Sequence, residues 1–92
     1  IGSTYNVMGR RFVRIWELAS AGRMSEARAL QTGANEIIAA LIETGVTAGL
    51  KAILRERGIA AGRCRPPFRP PAPEKERALL ATVERVERQG PA

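Results

Sequence analysis

Apolar residues recur at helical intervals along most of the chain. Met8, Phe12, Ile15, Trp16 and Ala19 fall three or four apart, with Arg10, Arg11, Arg14 and Glu17 on the opposite side. That spacing predicts an amphipathic helix from Met8 to Ala21. Asn6 stands where an N-cap belongs and Gly22 where a helix stops. The strongest pattern follows: Ala27, Leu30, Ala34, Ile37, Ile38, Leu41 and Ile42 form one unbroken stripe, bounded by Ser25 as N-cap and Gly45 as stop. Gly33 interrupts it at a cost of ~1 kcal/mol relative to Ala, so it marks either a close helix contact or a tolerated flaw. A shorter helix opens at Val46 or Thr47, runs through Leu50, Ile53 and Leu54, and ends at Gly58. A last helix starts at Pro73, carries Glu74 and Glu76 in its first turn and buries Leu79, Leu80, Val83 and Val86. Gln89, Gly90 and Pro91 end it. The fold class is mainly α, a strand stub plus four helices.

Residues 58–72 break the pattern. Pro66, Pro67, Pro70 and Pro71 exclude helix and favour extended backbone. The segment reads as a strap between helices, anchored by Phe68. The PxxP spacing of Pro67 and Pro70 also fits a ligand for an aromatic groove, but Phe68 and Cys64 are out of place in one.

Composition adds limits. The chain has 92 residues and a formal net charge of +6. Its four aromatic residues, Tyr5, Phe12, Trp16 and Phe68, make a thin core that calls for a partner surface. Nearly all the excess charge falls in residues 46–72, as Lys51, Arg55, Arg57, Arg63, Arg65 and Arg69. These are spread over a helix and a loop, and the short helix after Gly45 has no base-reading Asn or Gln, so no nucleic-acid partner is expected. No run approaches the ~20 apolar residues of a membrane span, so no membrane partner is expected either. The single Cys64 excludes an internal disulfide and points to a reducing, cytoplasmic setting. Without His, and with no cluster of carboxylates, neither a metal site nor a Ser-His or Cys-His nucleophile is expected, and no cofactor is implied.

The opening stretch Ile1-Gly2-Ser3-Thr4-Tyr5-Asn6-Val7-Met8-Gly9 is where chemistry concentrates. Strand-tolerant residues lead into a helix start, the place where α/β folds put ligand-contacting groups. Opening in mid-strand without Met predicts a piece of a longer protein.

In order and spacing, four segments resemble the C-terminal part of the N-acetylneuraminate lyase and dihydrodipicolinate synthase family. They are this opening nonapeptide, Gly45-Val46 through Gly49-Leu50-Lys51-Ala52-Ile53-Leu54, Gly58-Ile59 with Gly62, and Cys64-Arg65-Pro66-Pro67-Phe68-Arg69-Pro70. The resemblance implies a (β/α)8 barrel parent with a C-terminal helical extension, acting as a class I aldolase through a Schiff base between lysine and pyruvate. Residues 1–22 would be the last barrel strand and its helix, and residues 23–92 the extension with its strap at 58–72. The Schiff-base lysine, the proton-shuttling tyrosine and the carboxylate-binding Gly-Ser-Thr-Gly belong to earlier parts of such a barrel. No catalytic residue is therefore expected here, Lys51 and Tyr5 included, and the chain alone should be inert. By resemblance Ser3 contacts the polyhydroxylated part of a sugar-acid substrate, since a hydroxyl both donates and accepts. The simpler role for Ser3 and Thr4 is to satisfy backbone at the barrel mouth. The implied partners are the rest of the barrel, other subunits of a homo-oligomer and a small keto acid. A dihydrodipicolinate synthase-type condensation and a free-standing helical interaction module are the alternatives.

Overall fold

The computed structural model describes residues 1–89. It contains four helices: α1 (Tyr5–Ser20), α2 (Met24–Thr44), α3 (Val46–Glu56) and α4 (Pro73–Gln89). The expected stop at Gly90 and Pro91 lies outside the described residues.

α2 is the hub. α1 and α4 pack along different sides of it, and α3 crosses its end and touches the other three helices. The core collects Val7 and Met8 from α1, Ala34, Ile37 and Leu41 from α2, Leu50 and Ile53 from α3, and Leu79, Val83 and Val86 from α4. A smaller cluster of Leu18, Ala27 and Leu30 seals the far end of the α1–α2 contact. Burying each large aliphatic side chain contributes roughly 1.5–3 kcal/mol. Ile42, placed in the α2 stripe, is 66% exposed, so the buried stripe is narrower than the sequence pattern.

Glycines end three helices as expected. At Gly22, with φ of 78°, the amide of Arg23 donates to Leu18 and that of Gly22 to Ala19. Gly58, with φ of 85°, repeats the arrangement, the amide of Ile59 donating to Leu54 and its own to Arg55. Both are Schellman closures, which need a left-handed residue after the helix. Gly45 alone joins α2 to α3 through a 114° bend.

Several expected starts are corrected. Ser3 and Thr4 form a turn and there is no strand among the described residues, because a strand needs a neighbour to pair with. α1 begins at Tyr5, and Asn6 does not cap it: its Nδ2 donates to the Ser3 carbonyl at 2.8 Å. α2 begins at Met24, which puts Ser25 inside the helix. Of the two starts left open for α3, Val46 is the one used. Phe68 is no anchor, being 63% exposed. The strap is held instead by Lys51 Nζ, which donates to the Ala61 carbonyl at 2.9 Å, and Arg55 Nη1, which donates to Gly62 at 2.8 Å. Arg55 also pairs with Glu76 of α4 at 3.1 Å.

The largest correction concerns α1. Its buried face runs through Val7, Met8, Arg11 and Leu18, with Phe12, Ile15 and Ala19 partly buried against the core, so of the expected stripe only Trp16 faces water. Apolar side chains cover more than half of this helix, and α2 occupies only one edge of that arc. The opposite edge leaves Val13 at 59% and Trp16 at 74% exposure.

Candidate functional site

Ser3 sits on the exposed turn leading into α1. Its carbonyl accepts from the Asn6 amide at 3.2 Å and from Asn6 Nδ2 at 2.8 Å, while its hydroxyl makes no hydrogen bond among the described residues. The backbone of this turn is therefore fixed by Asn6, and the hydroxyl remains available. Beside it, the Tyr5 ring lies over Gly2, where a Cβ would come within 2.8 Å of Cε2. Phe12 meets the same ring edge-on, with centroids 4.8 Å apart and planes at 87°. Gly2 thus has a steric reason to lack a side chain: it lets Tyr5 fold back across the turn.

After one short turn the helix kinks at Met8, with φ −133° and ψ 28°. Val7 and Met8 are both buried, so the kink fixes the start of α1 to the core and leaves Ser3 outside it. A cavity of about 480 Å3 runs behind this corner, lined by Tyr5 to Arg11 together with Ile37, Arg57 and Glu87. Ser3 does not line it. Its one carboxylate, Glu87, is paired with Arg57 at 2.5 Å, which leaves no free acid or base.

Arg11 is the residue that sequence reasoning missed. Placed among the polar positions of α1, it is only 5% exposed. Nη1 donates to the Leu30 carbonyl at 3.1 Å and Nη2 to the Val86 carbonyl at 3.0 Å, so one guanidinium ties α1 to both α2 and α4. Val86 lies in the last turn of α4, where carbonyls lack helical partners and the helix dipole favours a cation. Gly33 makes the space: a Cβ there would lie 2.8 Å from Arg11 Nη1 and 3.0 Å from Val86 Cγ1. That decides between the two readings of Gly33 in favour of a close contact. The unexplained glycine was the available signal, since it marks a groove in α2 for something bulky.

Neither lysine sits in a catalytic arrangement. Lys51 is bound to the strap and Lys75 is exposed on α4. Among the described residues no group of three His, Cys, Asp or Glu side chains is placed to hold a metal. No single helix is long and apolar enough to cross a membrane.

With this geometry in view, the chain can be set beside known proteins. The family model for the dihydrodipicolinate synthetase family matches residues 1–86. The chain belongs to that family. The N-acetylneuraminate lyase of Rhizobium meliloti (strain 1021) is 51% identical over 69 residues, 75% of this chain and 23% of that protein. The lyase of Histophilus somni (strain 2336) is 42% identical over 84 residues, 91% of this chain and 29% of that one. Among solved structures, the N-acetylneuraminate lyase of Fusobacterium nucleatum complexed with pyruvate superposes with a TM-score of 0.86 at 31% identity, covering 95% of this chain and 30% of the lyase. The Proteus mirabilis enzyme gives 0.85 at 28%, covering 94% and 29%. The dihydrodipicolinate synthetase family chain thus spans about a quarter of the curated lyases it matches. Its four helices correspond to less than a third of the barrel enzymes whose structures they fit.

Proposed function

We propose that this chain is the C-terminal portion of a pyruvate-dependent Schiff-base aldolase that cleaves a sugar acid in the manner of N-acetylneuraminate lyases. Cleavage of such a substrate leaves a carbanion beside the former keto carbon, and a protonated imine on a lysine is the electron sink for it. That lysine belongs to the remainder of the barrel, so the chain alone is catalytically inert. Ser3 is its contribution to the site, a substrate-specificity contact. The observation that carries this is the Ser3 turn: the backbone is fixed by Asn6, the hydroxyl is unengaged, and the corner is braced by Tyr5 over Gly2. A hydroxyl held in this way can donate to and accept from a polyol chain. The exposed Val13 and Trp16 edge of α1 is the surface that packs on the rest of the barrel, and the oligomer forms from whole barrels.

The test is a chimera in which residues 1–89 replace the matching segment of the Fusobacterium nucleatum lyase. It is expected to cleave N-acetylneuraminate, and Ser3→Ala is expected to lower kcat/KM about tenfold or more, as loss of one polar substrate contact does. A folded chimera that binds pyruvate but whose cleavage is unaffected by Ser3→Ala would remove the specificity role.

A further inference from the structure

Of the seven charged residues in 46–72, six are cations and only Glu56 is a carboxylate. Along the sequence they are dispersed, but the fold gathers four of them. Lys51, Arg55, Arg63 and Arg69 line one cavity of about 70 Å3 between α3 and the strap, closed by Ala48, Cys64, Pro70 and Pro71. Lys51 and Arg55 lie one helical turn apart and are half-buried, each held in place by its bond to a strap carbonyl. Arg63 and Arg69 come from the strap itself and have no hydrogen-bond or ion-pair partner among the described residues. Glu76, the carboxylate paired with Arg55, lies on α4 and does not line the cavity.

Like charges so arranged repel one another, and the repulsion is relieved when an anion enters between them. Lys51 and Arg55 are already ordered by the strap, and Pro70 restricts the backbone at Arg69. Less conformational entropy is therefore lost on binding than at a flexible surface cluster. The guanidinium forks of Arg63 and Arg69 suit two oxygens of a tetrahedral oxyanion, and the small volume suits a single such group rather than a peptide or a nucleic-acid backbone. We propose that the cavity between α3 and the strap is a binding site for one phosphate group, as a free ion or as a small monoester, with Arg63 and Arg69 completing a cradle begun by Lys51 and Arg55. This site lies apart from Ser3 and stands independently of the aldolase reading.

Titration of the chain with inorganic phosphate, followed by 1H–15N spectra against sodium chloride at matched ionic strength, tests it. Saturable shifts are expected at the Lys51 and Arg55 amides and the Arg63 and Arg69 side chains. Chloride should produce small, non-saturating changes. Arg63→Gln with Arg69→Gln changes only exposed side chains, and is expected to keep the helical circular dichroism while weakening phosphate at least ~tenfold. Methyl phosphate in place of inorganic phosphate separates the sources: equal binding supports a monoester ligand, and binding of inorganic phosphate alone supports the free ion. Shifts that follow ionic strength identically in both salts would overturn the proposal. So would saturation that the double substitution leaves unchanged.

Discussion

The seam where α1 meets α2 and α4 and the strap over α3 both use basic side chains that donate to backbone carbonyls. At the seam, Arg11 is buried, its carbonyl partners belong to two different helices, and Gly33 leaves the room that admits it. At the strap, Lys51 and Arg55 reach partly solvated carbonyls and hold down a segment whose aromatic residue faces water. The same bond matters more at the seam. A buried carbonyl that loses its donor cannot turn to water, whereas a strap carbonyl can. The seam is therefore structural in the strict sense, and the strap is tied down more lightly.

Arg11→Ala removes two charge-assisted hydrogen bonds and leaves a void in the seam, and is expected to cost about 3 kcal/mol in urea unfolding. For a chain of this size that is a large share of total stability. Gly33→Ala follows at about 1–2 kcal/mol. The new methyl displaces the Arg11 tip from the Leu30 carbonyl, and the gain in helix propensity of ~1 kcal/mol does not offset it. Combining Gly33→Ala with Arg11→Met should recover part of that cost, because the methyl then meets no guanidinium. Strict additivity in this double-mutant cycle would mean that Arg11 and Gly33 are not a matched pair.

At the strap, Arg55→Met is expected to cost about 1 kcal/mol and to speed protease cleavage within residues 58–72 without altering the helical circular dichroism. A loss equal to that of Arg11→Ala would erase the distinction between the two regions. Smallest in stability terms is Trp16→Lys, expected within ~0.5 kcal/mol of the parent because the ring is exposed. Its effect should instead be on association: light scattering is expected to show self-association of the parent chain that Trp16→Lys reduces. A parent chain monomeric at every concentration would count against an apolar face that awaits the barrel.

The helices and their glycine stops were legible because they rest on local chemistry: periodic Leu, Ile and Ala, and Gly22, Gly45 and Gly58 where a left-handed residue is required. The opening nonapeptide, with the Gly45–Leu54 segment, Gly58-Ile59 with Gly62, and the Cys64–Pro70 segment, also identified the family. What could not be read was which edge of α1 turns inward, since Phe12, Ile15, Trp16 and Leu18 offer more apolar surface than one neighbour can cover. The burial of Arg11 depended on a carbonyl 75 residues away in sequence, beyond any local pattern. Caps failed for a related reason: Asn6 and Ser25 are good capping residues, but the turns around Ser3 and Gly22 had already fixed where the helices begin. At the candidate site, sequence supplied Ser3, and the structure added the Asn6 and Tyr5 contacts that hold its turn.

In the proposed function the chain carries one wall of an aldolase site and none of its covalent machinery. Its only lysines, Lys51 and Lys75, allow a direct test: incubation of the isolated chain with pyruvate and borohydride, followed by intact mass and peptide mapping. No specific adduct is expected on this chain, and a single adduct on an upstream lysine is expected when the same residues are carried in the chimera. A stoichiometric adduct on Lys51 or Lys75 of the isolated chain would contradict it.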